Sequence, residues 1–140
     1  MITEDFVSFE TAKLLKEKGF PQNTSHYYEG KNLWRHYHDE VLPKTEIFAA
    51  PTQQMAMKWL REVHNIDIVI DAAVGMLGVK VYVPFISTYK PLKDEPSKVH
   101  QIKRGICYKD DKGIIPALQQ FDSYEQACEA AIKYCLEHLI

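Results

Sequence analysis

The sequence predicts an α+β fold in which helices pack on an antiparallel sheet. Two capped amphipathic stretches, residues 51–64 and 123–140, have the apolar spacing of helices. Segments rich in aromatic and β-branched residues lie between them, and the turn signals that separate these segments are short. Such connections exclude parallel crossovers, which need a dozen or more residues. The predicted order is helix, β-hairpin, helix, antiparallel meander and C-terminal helix.

Length and composition favour a single domain spanning residues 1–140. A chain of 140 residues buries roughly two thirds of its unfolded surface, which is enough for a core without metal or disulfide staples. The net charge of −2 provides no bulk attraction to nucleic acid or to an anionic membrane. We expect no membrane association, because no apolar run approaches the roughly 20 residues of a membrane span. An acidic start and three cysteines without a spacing motif favour a cytoplasmic location.

The first two elements are a short helix and a hairpin. Ser8 is the expected N-cap of the helix, and Gly19 is the expected stop. Residues 26–28 and 33–38 are aromatic-rich, which suits a half-buried pleated surface. The polar segment 29–32 between them contains a glycine and predicts the turn.

The second helix has a clear apolar stripe between two end signals. Thr52 is the expected N-cap, and Asn65 is the expected stop. Trp59 lies at the centre of the stripe and is predicted to anchor the core. The stripe consists of Met55, Ala56, Trp59, Leu60 and Val63. A strand at residues 66–70 is predicted to follow directly.

The meander is predicted from two turn signals. Residues 79–83 form a strand that is reached through a turn at residues 75–78, which contains two glycines. Residues 105–108 and 114–115 flank the segment 110–113, whose Asp-Asp-Lys-Gly sequence is typical of a hairpin turn.

Residues 87–103 show neither helical nor strand periodicity and are interpreted as a long, mobile loop. Pro91 and Pro96 argue against a central strand there. Loops of this length are usually functional or mobile. Basic residues near an aromatic ring are typical of nucleic-acid contacts, although they are also common on solvated loops. The candidate partner-binding or nucleic-acid-binding residues of segment 87–104 are Tyr89, Lys90, Lys93, Lys98, Lys103 and Arg104.

The last helix begins with a capping box formed by Ser123 and Gln126. Its apolar residues recur at helical spacing and predict a face that docks on the sheet. This face comprises Tyr124, Ala127, Cys128, Ala131, Ile132, Cys135 and Leu139.

The helical segments 9–20, 50–62 and 123–132 resemble a family of small, uncharacterised bacterial proteins that often occur in prophage-like or mobile genetic regions. The resemblance covers the three helices, which make up under half of the chain. It implies a cytoplasmic location and a phage or mobile-element context. It implies no activity and no functional residues.

The pair His36 and His38 has the spacing of metal ligands. Residues two apart on a strand project from the same face, and His26 lies on the facing strand of the predicted hairpin. The alternative is that both histidines are half-exposed hairpin residues. A metal-binding or enzymatic protein built around His36 and His38 is therefore one of two alternative functions.

The leading hypothesis is a non-enzymatic small accessory or interaction protein, with an unknown protein partner and no cofactor. No catalytic residue is assigned, because the sequence has no phosphate-binding glycine loop, nucleophile elbow or zinc-protease motif. Cys128 and Cys135 lie on the core stripe of the last helix, where cysteine acts as a small hydrophobe. The other alternative is a nucleic-acid-associated protein that uses the basic segment 87–104.

Overall fold

The computed structural model describes residues 1–35, 46–110 and 113–140. These residues form an α+β fold with the predicted order of elements, although the strands are divided among three small sheets. None of the helices in these ranges has the length and hydropathy that crossing a bilayer requires. The elements are α1 (Phe9–Glu17), β1 (His26–Glu29), β2 (Asn32–Arg35), β3 (Ile47–Ala49), α2 (Gln53–His64), β4 (Asp67–Val74), β5 (Lys80–Pro91), β6 (Val99–Gly105), β7 (Cys107–Asp110), β8 (Gly113–Leu118) and α3 (Tyr124–His138).

All strand pairs among the described residues are antiparallel, as the short connections predicted. The first sheet has the order β2-β1-β3 and contains the predicted hairpin. The central sheet has the order β4-β5-β6, so that β5 is its middle strand. The strands β7 and β8 form a separate hairpin around the predicted turn. The predicted meander is therefore divided between the central sheet and this hairpin.

The helix boundaries follow from the predicted caps. Each N-cap oxygen accepts a hydrogen bond from the backbone N–H three residues later, which satisfies one of the unpaired donors at a helix start. The pairs are Ser8 with Thr11, Thr52 with Met55, and Ser123 with Gln126. Gly19 (φ 91°) follows α1 and Asn65 (φ 54°) follows α2, both in the left-handed conformation that ends many helices.

The core lies around α3, which packs against α1, α2 and the strands β4 and β5. The middle of the predicted face of α3 is fully buried, whereas Tyr124 at its start is exposed and Leu139 at its end is half-buried. Ile86 of β5 and Leu60 of α2 meet this face and are also fully buried. The buried residues of α3 are Ala127, Cys128, Ala131, Ile132, Cys135 and Leu136.

The buried face of α2 is rotated from the predicted stripe. Met57 and Gln53 are buried, whereas the predicted stripe residues Met55 and Val63 are exposed. Gln53 is buried because its side-chain amide donates to the carbonyl of Glu125 in α3, 3.0 Å away. Trp59 packs against the core, as predicted for a core anchor, but it is half-buried rather than fully buried.

A carboxylate joins the three helices. Oε1 of Glu129 in α3 accepts hydrogen bonds from the Ser8 N–H (3.0 Å) and the Thr11 hydroxyl (2.6 Å) at the start of α1. Its Oε2 accepts from Nε2 of Gln53 in α2, at 3.4 Å. A negative charge is favourable at a helix N-terminus, so Glu129 stabilises the docking of α1 on α3.

The interpretation of residues 87–103 as a long loop is wrong. The strand β5 continues to Pro91, and β6 begins at Val99, which pairs with Pro91. Pro91 lies beyond the end of β4, whose pairing with β5 starts at Ser87, so no strand flanks Pro91 on that side. Pro96 lies in the turn between the strands. Neither proline therefore lies at a strand position that is paired with a neighbouring strand on both sides.

Candidate interaction site

The end of β4 and the turn to β5 carry four exposed apolar side chains, which we call the apolar tip. They are Val74, Met76, Leu77 and Val79, with exposed fractions of 75%, 103%, 93% and 61%. Single exposed apolar residues are ordinary on protein surfaces, but contiguous ones are characteristic of interaction sites. The apolar tip is therefore the strongest candidate interaction site among the described residues.

Two glycines hold the apolar tip in a defined turn. The Gly75 N–H donates to the Val79 carbonyl at 2.8 Å, and the Gly78 N–H donates to the Gly75 carbonyl at 3.0 Å. Gly78 has φ 73°, a conformation that a residue with a side chain rarely adopts. These bonds close the turn, so Met76 and Leu77 project away from the sheet.

A groove of about 390 Å³ lies beside the apolar tip. One wall consists of tip residues and Val81, and the other consists of Gln120 and Asp122. The second wall is fixed because Phe121 exchanges two backbone hydrogen bonds with Tyr82 of β5, at 2.8 and 2.9 Å. The site therefore combines a convex apolar turn with an adjacent groove that has an acidic rim.

A second apolar groove, of about 340 Å³, lies beside α2. Phe20, Met55 and Trp59 line it, and the rings of Phe20 and Trp59 meet edge to face at a centroid distance of 5.4 Å. Its rim carries the exposed ion pair of Lys58 and Glu62, at 3.8 Å. No side chain in this groove is as exposed as Met76 or Leu77, so we rank it below the apolar tip.

The six site residues predicted from sequence lie on the β5–β6 hairpin, toward the end of the sheet opposite the apolar tip. Four of them, Tyr89, Lys98, Lys103 and Arg104, make contacts within the chain. The Tyr89 hydroxyl donates to Asp67 at 2.8 Å, and this hydrogen bond raises the pKa of Tyr89. Lys98 pairs with Glu95 at 2.5 Å. The ammonium of Lys103 lies 4.7 Å from the centroid of the Phe85 ring.

The register places the strand cations on opposite faces of the sheet. Arg104 is opposite Ile86, whose side chain faces α3, and its guanidinium donates to the Thr88 hydroxyl at 3.4 Å. Lys90 shares that face, whereas Lys103 is on the other face because strand residues alternate. Lys93 lies in the turn with Lys98. The fold does not gather the predicted cations on one surface, which removes the main argument for a nucleic-acid site.

The predicted metal ligands His36 and His38 lie outside the described residues. The third histidine of that hypothesis, His26, stacks on Phe6 with ring centroids 4.5 Å apart, and its Nδ1 is 2.9 Å from the Ser25 hydroxyl. In residues 1–35, 46–110 and 113–140, no group of three or more histidine, cysteine or acidic side chains is arranged to hold a metal ion. Metal binding by His36 and His38 remains a prediction.

The cysteines of α3 are embedded in the core. Burial raises the pKa of the Cys128 thiol to about 11 and that of Cys135 to about 12. Both thiols are therefore protonated at neutral pH. They are unreactive in this form, because the thiolate is the form that reacts. Both are free, as their spacing on one helix predicted.

No protein-family model, curated protein or solved structure matches this chain. The resemblance of the helices to a mobile-element family therefore remains a prediction, and the candidate site is argued from geometry alone.

The apolar tip was not predicted from the sequence, although its signal is present there. The predicted turn was identified from Gly75 and Gly78, but the two residues between them are Met76 and Leu77. Turn positions usually carry glycine, proline, asparagine, aspartate or serine. Two large apolar residues at the centre of a glycine turn are the pattern that predicts an exposed contact.

Proposed function

We propose that this protein is a non-enzymatic interaction protein that binds a partner protein through the apolar tip. The observation that carries the proposal is the exposure of Met76 and Leu77, at 103% and 93%, in a hydrogen-bonded turn. A cytoplasmic, phage or mobile-element setting belongs to the same proposal and is supported by the resemblance of the helices.

The free-energy cost of leaving these apolar side chains exposed to water supports the proposal. Burying a side chain of the size of methionine or leucine contributes about 1.5–3 kcal/mol. Met76 and Leu77 together therefore provide the energy typical of an interface hot spot. The turn is closed by two backbone hydrogen bonds, so little backbone entropy is lost when it docks.

The shape and charge of the tip define the partner. A convex pair of apolar side chains fits a concave apolar pocket, as in the well-packed centre of many protein interfaces. Charged groups beside the tip are Lys80, which follows it on β5, and Asp122 on the groove rim. We therefore expect a partner pocket with an apolar floor and a rim that carries charges of both signs.

The experiment compares the parent with the double variant Met76→Ser/Leu77→Ser. Each protein is tagged, used to capture partners from its own cells, and the captured protein is then purified and titrated by calorimetry. We expect the double variant to bind the purified partner at least 100-fold more weakly. Because Met76 and Leu77 make no core contact, its free energy of unfolding should stay within about 0.5 kcal/mol of the parent value.

The matched control is Val99→Ser, an exposed apolar residue near the opposite end of the central sheet. It should bind the partner as the parent does. Equal binding by the double variant and the parent would refute the proposal. An equal loss of partner binding in Val99→Ser would show that the contact is not specific to the apolar tip.

A further inference from the structure

Within the part of the chain that the structure describes, the central sheet has two open edges. Among the described residues, β4 and β6 each pair with β5 alone. Neither outer edge shows a backbone hydrogen bond to another described element along its strand. An open edge presents a row of backbone donors and acceptors that can pair with another strand.

The two edges carry opposite charge. The strand β4 contains Asp67 and Asp71 and no basic residue. The strand β6 contains Lys103 and Arg104 and no acidic residue. Like charges facing each other across strands are unfavourable and opposite charges are favourable. Each edge therefore disfavours pairing with its own counterpart and favours pairing with the other edge.

We propose that copies of this chain associate head to tail, with β6 of one copy pairing in parallel with β4 of the next. Both strands run antiparallel to β5, so they run parallel to each other when the copies share one orientation. The contact is heterologous, and it therefore builds an open row of copies rather than a closed dimer.

One register satisfies both faces of the joined sheet. When Lys103 lies beside Asp71 of the next copy, Gln101 lies beside its Val69, on the face away from α3. On the face toward α3, Ile102 then lies beside Ile70 of the next copy. This register pairs Lys103 with Asp71 on one face and Ile102 with Ile70 on the other, while Asp67 lies beside Val99 and Arg104 beside Ala72. It overlaps all seven residues of β6 with β4.

The association is weak and sensitive to salt. Exposed ion pairs contribute little individually, and parallel pairing is slightly less stable than antiparallel pairing. Salt also screens exposed charges over about 10 Å at 0.1 M. The apolar tip lies at the β4–β5 turn rather than along either edge, so this contact is independent of the proposed partner site.

Disulfide trapping tests the direction of the contact. Val69→Cys and Gln101→Cys are each made in a Cys107→Ser background, which leaves Cys128 and Cys135 buried in the core. The two proteins are oxidised separately and as an equimolar mixture, then run on a non-reducing gel. We expect disulfide-linked dimers in the mixture and none in either protein alone. Dimers in each protein alone would indicate like-edge pairing, and no dimers in the mixture would also overturn the proposal.

Sedimentation velocity tests the charge argument. We expect the weight-average mass of the parent to rise with concentration and to fall toward the monomer mass in 1 M salt. Asp71→Lys and Lys103→Asp should each lower the association at least 10-fold, and an equimolar mixture of the two should restore it. The proposal would be refuted if each single variant associated as strongly as the parent. It would also be refuted if the parent kept the monomer mass at every concentration.

Two controls separate this contact from the others. Circular dichroism melts establish that each charge variant is folded. Met76→Ser/Leu77→Ser should associate as the parent does, because its changes lie in the turn. If that variant lost self-association while the charge variants kept it, the copies would be meeting through the apolar tip, and the edge proposal would be wrong.

Discussion

The core around α3 and the turn between β4 and β5 use large apolar side chains in opposite ways. Leu60 and Ile132 are fully buried in the core, whereas Met76 and Leu77 project from the tip. Removing a core side chain leaves a cavity, but removing a tip side chain leaves no cavity. The residues that stabilise the fold are therefore separate from those of the proposed partner site, so that each set can be altered without the other.

The largest expected difference between core and surface is in thiol reactivity. At pH 8 a thiol with the raised pKa of Cys128, about 11, is ionised in roughly one molecule in a thousand, and Cys135 is ionised still less. We expect a disulfide reagent to label half-buried Cys107 at least 100-fold faster than either core thiol. Denaturant should abolish the difference. Rapid labelling of all three thiols in the folded protein would show that the core opens readily.

In stability, the largest expected effect is that of Ile132→Ala. Ile132 is fully buried at the centre of α3, and truncating such a side chain costs about 2–5 kcal/mol of unfolding free energy. The matched change Val79→Ala at the apolar tip should cost less than about 0.5 kcal/mol. Urea unfolding followed by circular dichroism measures both. Similar losses for the two variants would contradict the division between core and tip.

Trp59→Ala tests the boundary between the two regions. Trp59 packs on Phe20 and, at a centroid distance of 4.6 Å, on His64, but it is half-buried. We expect a loss of about 2–3 kcal/mol, less than the 3–5 kcal/mol of a fully buried large aromatic residue. Exposed Trp34 on β2 is the control, and Trp34→Ala should cost less than about 1 kcal/mol. A loss near zero for Trp59→Ala would place Trp59 outside the core.

The smallest expected effect on stability is the loss of the N-cap hydrogen bond of α3 in Ser123→Ala. The Ser123 hydroxyl oxygen accepts from the Gln126 N–H at 3.1 Å, and replacing such a cap with alanine costs about 1 kcal/mol. Ser97, in the exposed β5–β6 turn, is the control, and Ser97→Ala should be neutral within about 0.5 kcal/mol. Equal stability of Ser123→Ala and the parent in urea would mean that water replaces the cap without cost.

The helices were predictable because their signals are local. A cap such as Ser123 lies within three residues of the N–H that it satisfies, and the stripe of α3 repeats over several turns. The stripe of α2 was predicted less accurately. Several apolar residues lie near either side of that helix, and its buried side is set by Gln53 bonding to a helix 72 residues away.

The second half of β5 and the whole of β6 were missed because their signals are not local. The edge strand β6 is exposed on most of its length, so it lacks the alternation that marks a strand with one buried face. Prolines are allowed in β5 because the flanking strands differ in extent. Pro84 pairs with Ile70 of β4 but lies beyond the end of β6, which stops at the level of Phe85. The strand positions that lack a neighbouring strand are set by the assembled sheet, so they cannot be identified from the local sequence.

The candidate site was only partly predictable for the same reason. The sequence identifies the glycine turn, but the exposure of Met76 and Leu77 depends on which elements pack near it. The cation set was predicted as one cluster because its members are close in sequence. Strand geometry then places Lys103 and Arg104, which are consecutive, on opposite faces.

The bonds of Glu129 determine when the protein can fold during synthesis. They join α3 to Ser8 and Thr11, which the ribosome makes more than a hundred residues earlier. At about 5–20 residues per second, α1 waits roughly 5–25 s for the helix on which it docks. Throughout this interval the apolar faces of α1 and α2 lack their largest partner. The nascent chain therefore keeps apolar surface uncovered for seconds, until α3 emerges from the exit tunnel and packs on it.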